Sequence, residues 1–316
     1  MKACIISGPE QSAICDVPVP EIGDDEVLIK VLVCGVCASE IFLWENGIGA
    51  GQKILGHEPV GIIVAMGKNV KGFQIGDRIT GMIWEAFAEY TKADFRNIVK
   101  VPDELSDKEA IGEPLSCLMS GAERTTVHIG DTVAIIGMGF MGLGFMQLMK
   151  LRGPVKIIGI DVRKEGLEHA LKFGADDVFF PQDVPLSYKV ADWDHMDGGV
   201  NVAIEASGSQ SGLTLAGEMA CVHGALSIVG YHQNGMRTVN MELWNWKALT
   251  VINAHERRNS EHVKHMKAGL PMITKGAFNM KDMITDEFLM NDVDEAFSAL
   301  KNKREGYIKS VIRISH

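Results

Sequence analysis

Two short stretches carry side chains that can hold a metal ion. CGVCASE at 34–40 supplies Cys34, Cys37, Ser39 and Glu40, and GHEPVG at 56–61 supplies His57 and Glu58. Thiolate, imidazole and carboxylate are zinc ligands, and a catalytic zinc takes three of them while leaving one position open. No second Cys-x-x-C follows to close a four-cysteine knuckle. Cys34 alternates with the apolar residues of EVLIKVLV and reads as a small buried hydrophobe. Cys37 lies just past that strand, where a loop can present its thiolate. His57 sits in a glycine-flanked turn with Glu58 beside it. Taken singly, each is more often structural than ligating.

A third stretch, VAIIGMGFMG at 133–142, places Gly137, Gly139 and Gly142 in G-x-G-x-x-G spacing. A strand-like run precedes it, a helical run follows, and Asp161 ends the next strand. In that context the glycines allow a tight turn, close backbone approach to a pyrophosphate, and close helix–strand packing. The helix N-terminus adds unpaired N–H groups and a positive dipole end. Asp161 would accept hydrogen bonds from ribose hydroxyls and repel a 2′-phosphate, which favours NAD over NADP; Arg163, two residues on, softens that rejection. Phe140 and Met141 inside the motif, with Ser207 and Gly230 where NVAIEASG and ALSIVG end, complete the expected cofactor-binding set. The methionines of this helix read as core filling.

The elements that must position these residues fall into two styles. Residues 1–100 alternate in short runs broken by glycines, as in KACIIS, EVLIKVLV, GIIVAMG and DRITGMI, the pattern of a β-rich, barrel-like unit. SDKEAIGEPLSCLMSGAERT has helical spacing, with Ser106 expected as N-cap and Glu109 as its capping-box partner. From 131 strands and helices alternate, which predicts a doubly wound parallel sheet. After about 255 the chain returns to a helix, SEHVKHMKAG, and ends in the strand YIKSVIRIS. A chain of 316 residues exceeds one ordinary core, so two domains are expected. Their bounds are 1–115 with 256–316 for the β-rich catalytic part, and 116–255 for the α/β dinucleotide-binding part.

Composition excludes other classes. A net charge of −10 without a basic stripe gives no support for nucleic-acid binding. The most apolar segment, VAIIGMGFMGLGFM, is short of the ~20 residues of a membrane span and is rich in glycine. MKACIISG lacks the apolar core of a secretory signal, and six scattered cysteines favour reduced thiols. A cytoplasmic protein that does not engage membranes is expected.

GVCASE, GHEPVGIIVAMGKNVKGFQIGDRI, EAFAEY, EPLS and VAIIGMGFMG stand in the order found in zinc-dependent medium-chain dehydrogenases, and the chain resembles that family over nearly its whole length. It is most similar to the sorbitol and threonine dehydrogenase branch, because EPLS carries Glu113 where liver-type alcohol dehydrogenases carry a cysteine ligand. The resemblance implies a Rossmann doubly wound sheet plus a GroES-like catalytic domain. It implies Cys37, His57 and Glu113 around one catalytic zinc, with Glu58 as an alternative or exchanging ligand. Ser39 matches a proton-relay hydroxyl and Glu40 the acid behind the ligands, whereas Phe42 stands where relatives carry a relay histidine. Only ITGMIWE separates GDR from the AFAEY strand, so the cysteine lobe for a structural zinc is absent and no second zinc is expected. The implied activity is interconversion of a secondary alcohol (a polyol, sugar or amino alcohol) and its ketone by hydride transfer, in a homodimer or homotetramer. Substrate is expected between the two domains. A metal that lowers a hydroxyl pKa, beside a nicotinamide that takes hydride, suits that chemistry. Two rivals remain at this point: a zinc-free quinone or enoyl reductase on the same fold, and a non-catalytic NAD-binding sensor.

Overall fold

The computed structural model describes residues 1–314. Its strands, in chain order, begin with the hairpin β1 (Lys2–Gly8) and β2 (Gln11–Asp16). There follow β3 (Glu26–Gly35), β4 (Glu58–Met66), β5 (Arg78–Gly81), β6 (Tyr90–Asp94) and β7 (Ile98–Lys100). The parallel set is β8 (Thr132–Ile136), β9 (Lys156–Ile160), β10 (Asp177–Phe179), β11 (Val200–Glu205), β12 (Ala220–Ile228) and β13 (Thr250–Asn253). The chain closes with β14 (Ile284–Leu289) and β15 (Lys309–Arg313). Two compact units result, residues 1–117 with 257–316, and residues 118–256.

In the first unit a seven-stranded sheet runs β14-β15-β3-β4-β5-β7, with β6 paired to β3. Its central strand β3 buries alternate residues, Val27, Ile29, Val31 and Val33, as period-two patterning requires. The register sets Gly35 opposite Glu58 and Val311 opposite Gly35, so the ends of β3, β4 and β15 meet at one place. One core packs against that end, with Cys34, Trp44, Phe87, Phe297 and Tyr307 among its members. Cys34 is therefore a core residue, as its alternation implied.

The second unit is a six-stranded parallel sheet in the order β10-β9-β8-β11-β12-β13. The chain winds outward from β8 to β10, then returns to the other side of β8 with β11. The order reverses between β8 and β11, and the carboxyl ends of these two strands flank the crevice where doubly wound sheets take ligands. Among the described residues no helix is long and apolar enough to cross a membrane.

The expected helix start at Ser106 is corrected. Ser106 Oγ does bond to the Glu109 carboxylate, but residues 106–109 form turns, and the helix spans Gly112–Arg124. Thr80 Oγ1 makes the difference: it accepts the Gly112 N–H at 2.9 Å and donates to Pro59 O at 2.8 Å, tying the helix start to β4.

A buried lysine stabilises the second unit. Lys247 is fully buried, and its Nζ donates to Gly217 O at 2.5 Å and Ala220 O at 2.6 Å, with Val190 O at 3.2 Å and Glu218 O at 3.3 Å. Those carbonyls lie at the end of the helix Gln210–Met219, at the first residue of β12 and in the loop before β11. Lys247→Met keeps the side-chain volume and strands these acceptors; urea unfolding should show a loss of roughly 3 kcal/mol, the cost of unmade buried hydrogen bonds.

Candidate metal centre and nucleotide crevice

The residues expected to do chemistry in the first unit are brought together by three chain segments. Cys37 follows β3 and precedes a single turn of 3-10 helix, Ala38–Glu40. Glu58 opens β4, and His57 is the residue just before it. Glu113 lies in the first turn of the helix tied down by Thr80. The ligand atoms of Cys37, His57 and Glu58 all lie within 4.8 Å of one another. Glu113 is buried alongside but is not one of that group; its Oε1 accepts the Cys117 thiol at 3.4 Å. Ser39 Oγ donates to Cys37 Sγ at 3.2 Å. Phe42 is half in water in the short helix Ile41–Glu45.

Local backbone constraints explain the placement. Gly56, with φ of +92°, turns the chain into His57, and a Cβ there would meet Phe87 backbone and ring atoms at 2.7–3.0 Å. A Cβ on Gly35 would fall 1.9 Å from Glu58 Oε2, so the carboxylate lies where a side chain would otherwise be. Glu40 is buried, accepts the Gly56 N–H at 2.9 Å, and sets Oε1 3.1 Å from His57 Nδ1 without hydrogen-bond alignment. With Nδ1 turned to Glu40, Nε2 is the imidazole nitrogen left for a ligand role.

Lys309 was not foreseen. Its Nζ donates to Glu58 Oε1 at 3.0 Å and Val36 O at 3.1 Å, and stands 2.7 Å from Glu58 Oε2. The only sequence signal was a lysine in the terminal strand YIKSVIRIS. Its ammonium pKa is raised: burial works against the charge, and the attraction of Glu58 more than offsets it.

Electrostatically the pocket is crowded with acids. Burial would lower the His57 pKa, but the adjoining Cys37 and Glu40 prevail and push it up to about 12 in the metal-free chain. Burial raises the Glu113 carboxyl to about 7, opposed by the nearby His57 and reinforced by Glu58. The donor set fits zinc: one sulfur, one imidazole and one carboxylate converge, with their ligand atoms within 4.8 Å of one another.

In the second unit the glycine motif turns out of β8 into the helix Phe140–Lys150. Gly137 has φ of +94°, and a Cβ on Gly142 would strike Gly137 O at 1.9 Å. Around a Cβ on Gly139 there is nothing within 4 Å, so the backbone is open to a ligand there. This fits a dinucleotide phosphate cradle. Phe140 and Met141 form the first turn of that helix. Asp161 is buried, and its carboxylate accepts the Met138 N–H at 2.7 Å and the Arg163 N–H at 2.8 Å. It therefore shapes the turn; each oxygen keeps a second lone pair. Arg163 Nε is 3.6 Å from Asp161 Oδ1.

Ser207 and Gly230 are drawn together by Glu205, a fully buried residue that sequence reasoning missed. Its Oε1 accepts from Ser207 N at 2.8 Å, Ser207 Oγ at 2.5 Å and Gly208 N at 2.9 Å, while Oε2 faces His232 Nε2 at 2.7 Å. Gly230 N donates to Glu205 O at 2.9 Å. Arg237 Nε donates to His232 Nδ1 at 3.1 Å, so His232 is the neutral tautomer with its proton on Nε2.

Known proteins share this architecture. Residues 23–103 match the alcohol dehydrogenase GroES-like domain, and residues 141–268 match the zinc-binding dehydrogenase domain. A sorbitol dehydrogenase of Bacillus subtilis is 28% identical over 96% of this chain and 95% of its own length. A D-arabitol-phosphate dehydrogenase of Enterococcus avium is 28% identical over 94% and 93%. Among solved structures, the alcohol dehydrogenase TADH from Thermus sp. ATN1 superposes with a TM-score of 0.86 at 24% identity, covering 100% of both chains. The chain belongs to the zinc-type medium-chain dehydrogenase family, with a GroES-like unit and a Rossmann-like parallel sheet.

Two substitutions test the site. Gly35→Ala should drive the Glu58 carboxylate out of place and weaken zinc binding about 10–100-fold, read by competition with a chromophoric chelator while far-UV circular dichroism stays unchanged. Glu113→Gln tests the burial of charge. A carboxyl raised from 4.5 to about 7 keeps a proton that the unfolded chain releases, so stability is full below pH 4.5 and falls as pH rises through 7. A permanently neutral glutamine escapes this. The metal-free variant should exceed wild type by on the order of 2–3 kcal/mol at pH 8, with the gap closing towards pH 4.5.

Proposed function

We propose that this chain is a zinc-dependent, NAD(H)-linked dehydrogenase that interconverts a secondary alcohol, of polyol type, and its ketone. The observation that carries the reading is the convergence of Cys37, His57 and Glu58 within 4.8 Å, in a chain that also presents an open glycine turn at a sheet switch point. Cys37, His57 and Glu58 would hold the metal, with Glu113 as the carboxylate that would exchange for Glu58. One zinc per chain is proposed, since residues 82–89 between β5 and β6 contain no cysteine. Bound zinc supplies Lewis acidity that lowers the pKa of a hydroxyl, and the nicotinamide supplies the hydride acceptor.

The chain's own residues do the rest. Glu40 orients His57 through Nδ1, and Lys309 neutralises and fixes Glu58. Ser39 Oγ, beside Cys37, is the hydroxyl placed to take the proton that the alcohol gives up. Phe42 cannot pass it on, so the route continues through water or a carboxylate, with Glu40 and Glu58 as the nearest. Gly137, Gly139, Phe140, Met141 and Gly142 would receive the pyrophosphate, Asp161 the ribose hydroxyls, and Ser207 and Gly230 the far wall. Asp161 favours NAD, with Arg163 moderating the rejection of NADP. The enzyme is taken to be a cytoplasmic homo-oligomer.

The experiment is to assay NADH formation over a polyol, sugar and amino-alcohol panel on protein of measured zinc content. About one zinc per chain and polyol-dependent NADH formation are expected. Full activity without zinc, or two zincs per chain, contradicts the proposal. Ser39→Ala should lower kcat by on the order of 10²-fold at unchanged zinc content and NAD affinity. Unchanged kcat across pH 6–10 would take Ser39 out of the proton path.

A further inference from the structure

The first unit holds a recess that the chemistry above does not use. Its volume is about 630 Å³, within the range of small-molecule pockets. Three segments line it. The helix Asn259–Thr274 contributes Val263, Lys267 and Leu270. The short turn Phe95–Asn97 and β7 contribute Phe95, Arg96, Ile98, Val99 and Lys100, and the loop at 71–73 contributes Lys71 and Phe73.

Two kinds of side chain line the recess. Ile98, Val99 and Leu270 are buried, Phe73, Phe95 and Val263 are half-buried, and two prolines and a glycine complete the apolar part. The others are Lys71, Arg96, Lys100 and Lys267, all exposed. Among the described residues no acid, amide, hydroxyl or imidazole side chain lines it. Lysine and arginine only donate hydrogen bonds, so the hydroxyl and N–H groups of a sugar or nucleoside would find no side-chain acceptor here. What the lining can hold is an apolar body with a negative head.

The four cations are not equally free. Arg96 Nε donates to Asp94 Oδ1 at 2.8 Å, and Lys100 pairs with Asp77 at 2.7 Å. Each also lies over a phenylalanine, Arg96 over Phe95 at 5.7 Å and Lys100 over Phe73 at 5.8 Å. Their charge is balanced, and they frame the aromatic surface. Lys71 and Lys267 have no acidic partner among the described residues. Two unbalanced ammonium groups beside apolar surface reverse the local sign on a chain of net charge −10.

We infer that this recess is a binding site for an amphipathic anion, an unbranched fatty carboxylate. Its tail lies against the phenylalanine and aliphatic side chains, and its carboxylate meets Lys71 and Lys267.

The zinc-loaded enzyme is titrated by calorimetry with decanoate, and in parallel with acetate, decyltrimethylammonium and phosphatidylglycerol vesicles. Decanoate should bind at about one per chain with a Kd below about 1 mM, and more weakly as salt rises. Acetate lacks the tail and decyltrimethylammonium reverses the charge, so each should bind at least about tenfold more weakly. Lys71→Gln/Lys267→Gln should weaken decanoate about fivefold or more. Lys30→Gln/Lys53→Gln removes the same charge from exposed positions outside the recess and should leave the affinity within about twofold. Val263→Phe should fill the recess and weaken decanoate with both lysines in place; if that variant does not fold, the lysine pair decides. A carboxylate seated on the zinc would ignore these substitutions, so equal decanoate affinity in wild type and the Lys71/Lys267 variant overturns the inference. Equal binding of decyltrimethylammonium also overturns it, as does binding to the vesicles without binding of free decanoate. If no alcohol is oxidised in any assay, the dehydrogenase reading fails while this site stands on the decanoate result alone.

Discussion

The Glu58–Lys309 ion pair is shut away from water on both sides, and the geometry of the ligand cluster depends on it. Removing a carboxylate and an ammonium from water costs several kcal/mol each, and only close pairing with further hydrogen bonds offsets that. Here the pair is closed at 2.7 and 3.0 Å, with Val36 O as an additional acceptor for the ammonium. The pairing requires that β15 deliver Lys309 to the start of β4, and that β3 offer no side chain at Gly35 where the carboxylate must lie. Strand register, an absent Cβ and a buried charge are thus one constraint.

The two sites are built in opposite ways. The nucleotide crevice is local: a turn of six residues, an acid at the end of the neighbouring strand, and a buried Glu205 that ties two loop ends together. The metal centre is assembled from segments far apart in the chain, including a strand some 250 residues beyond Glu58 that closes the far side of its ion pair. The first kind of site tolerates drift elsewhere in the fold. The second is sensitive to any slip of register in the seven-stranded sheet, because a one-residue slip turns every side chain to the other face.

This contrast explains what could be read without coordinates. Period-two runs and strand–helix alternation gave the two architectures, and Gly137, Gly139 and Gly142 could be placed because their reason is local. Cys34 could be assigned to the core because it continues an apolar strand, and the end of that strand is buried on both faces. Lys309 and Thr80 could not, since their roles exist only through partners that chain folding brings near. Ser106 misled for a related reason: its contact with Glu109 is real but caps a turn, and the helix begins where Thr80 receives the Gly112 N–H. Asp161 was read only for its outward role, while its bonds to Met138 and Arg163 show it also holds the turn together. Glu113 and Glu58 were both expected at the metal; the Glu58 carboxylate lies within 4.8 Å of the Cys37 and His57 ligand atoms, and Glu113 accepts the Cys117 thiol, relations that spacing alone does not reveal.

The central claim is that one sulfur, one imidazole and one carboxylate from this chain enclose a single metal. Zinc K-edge X-ray absorption on the purified protein measures that donor set directly. The account predicts one sulfur at about 2.3 Å with the remaining donors nitrogen or oxygen at about 2.0–2.2 Å. A shell of two or more sulfurs, or protein that binds no zinc when the metal is supplied, would contradict it.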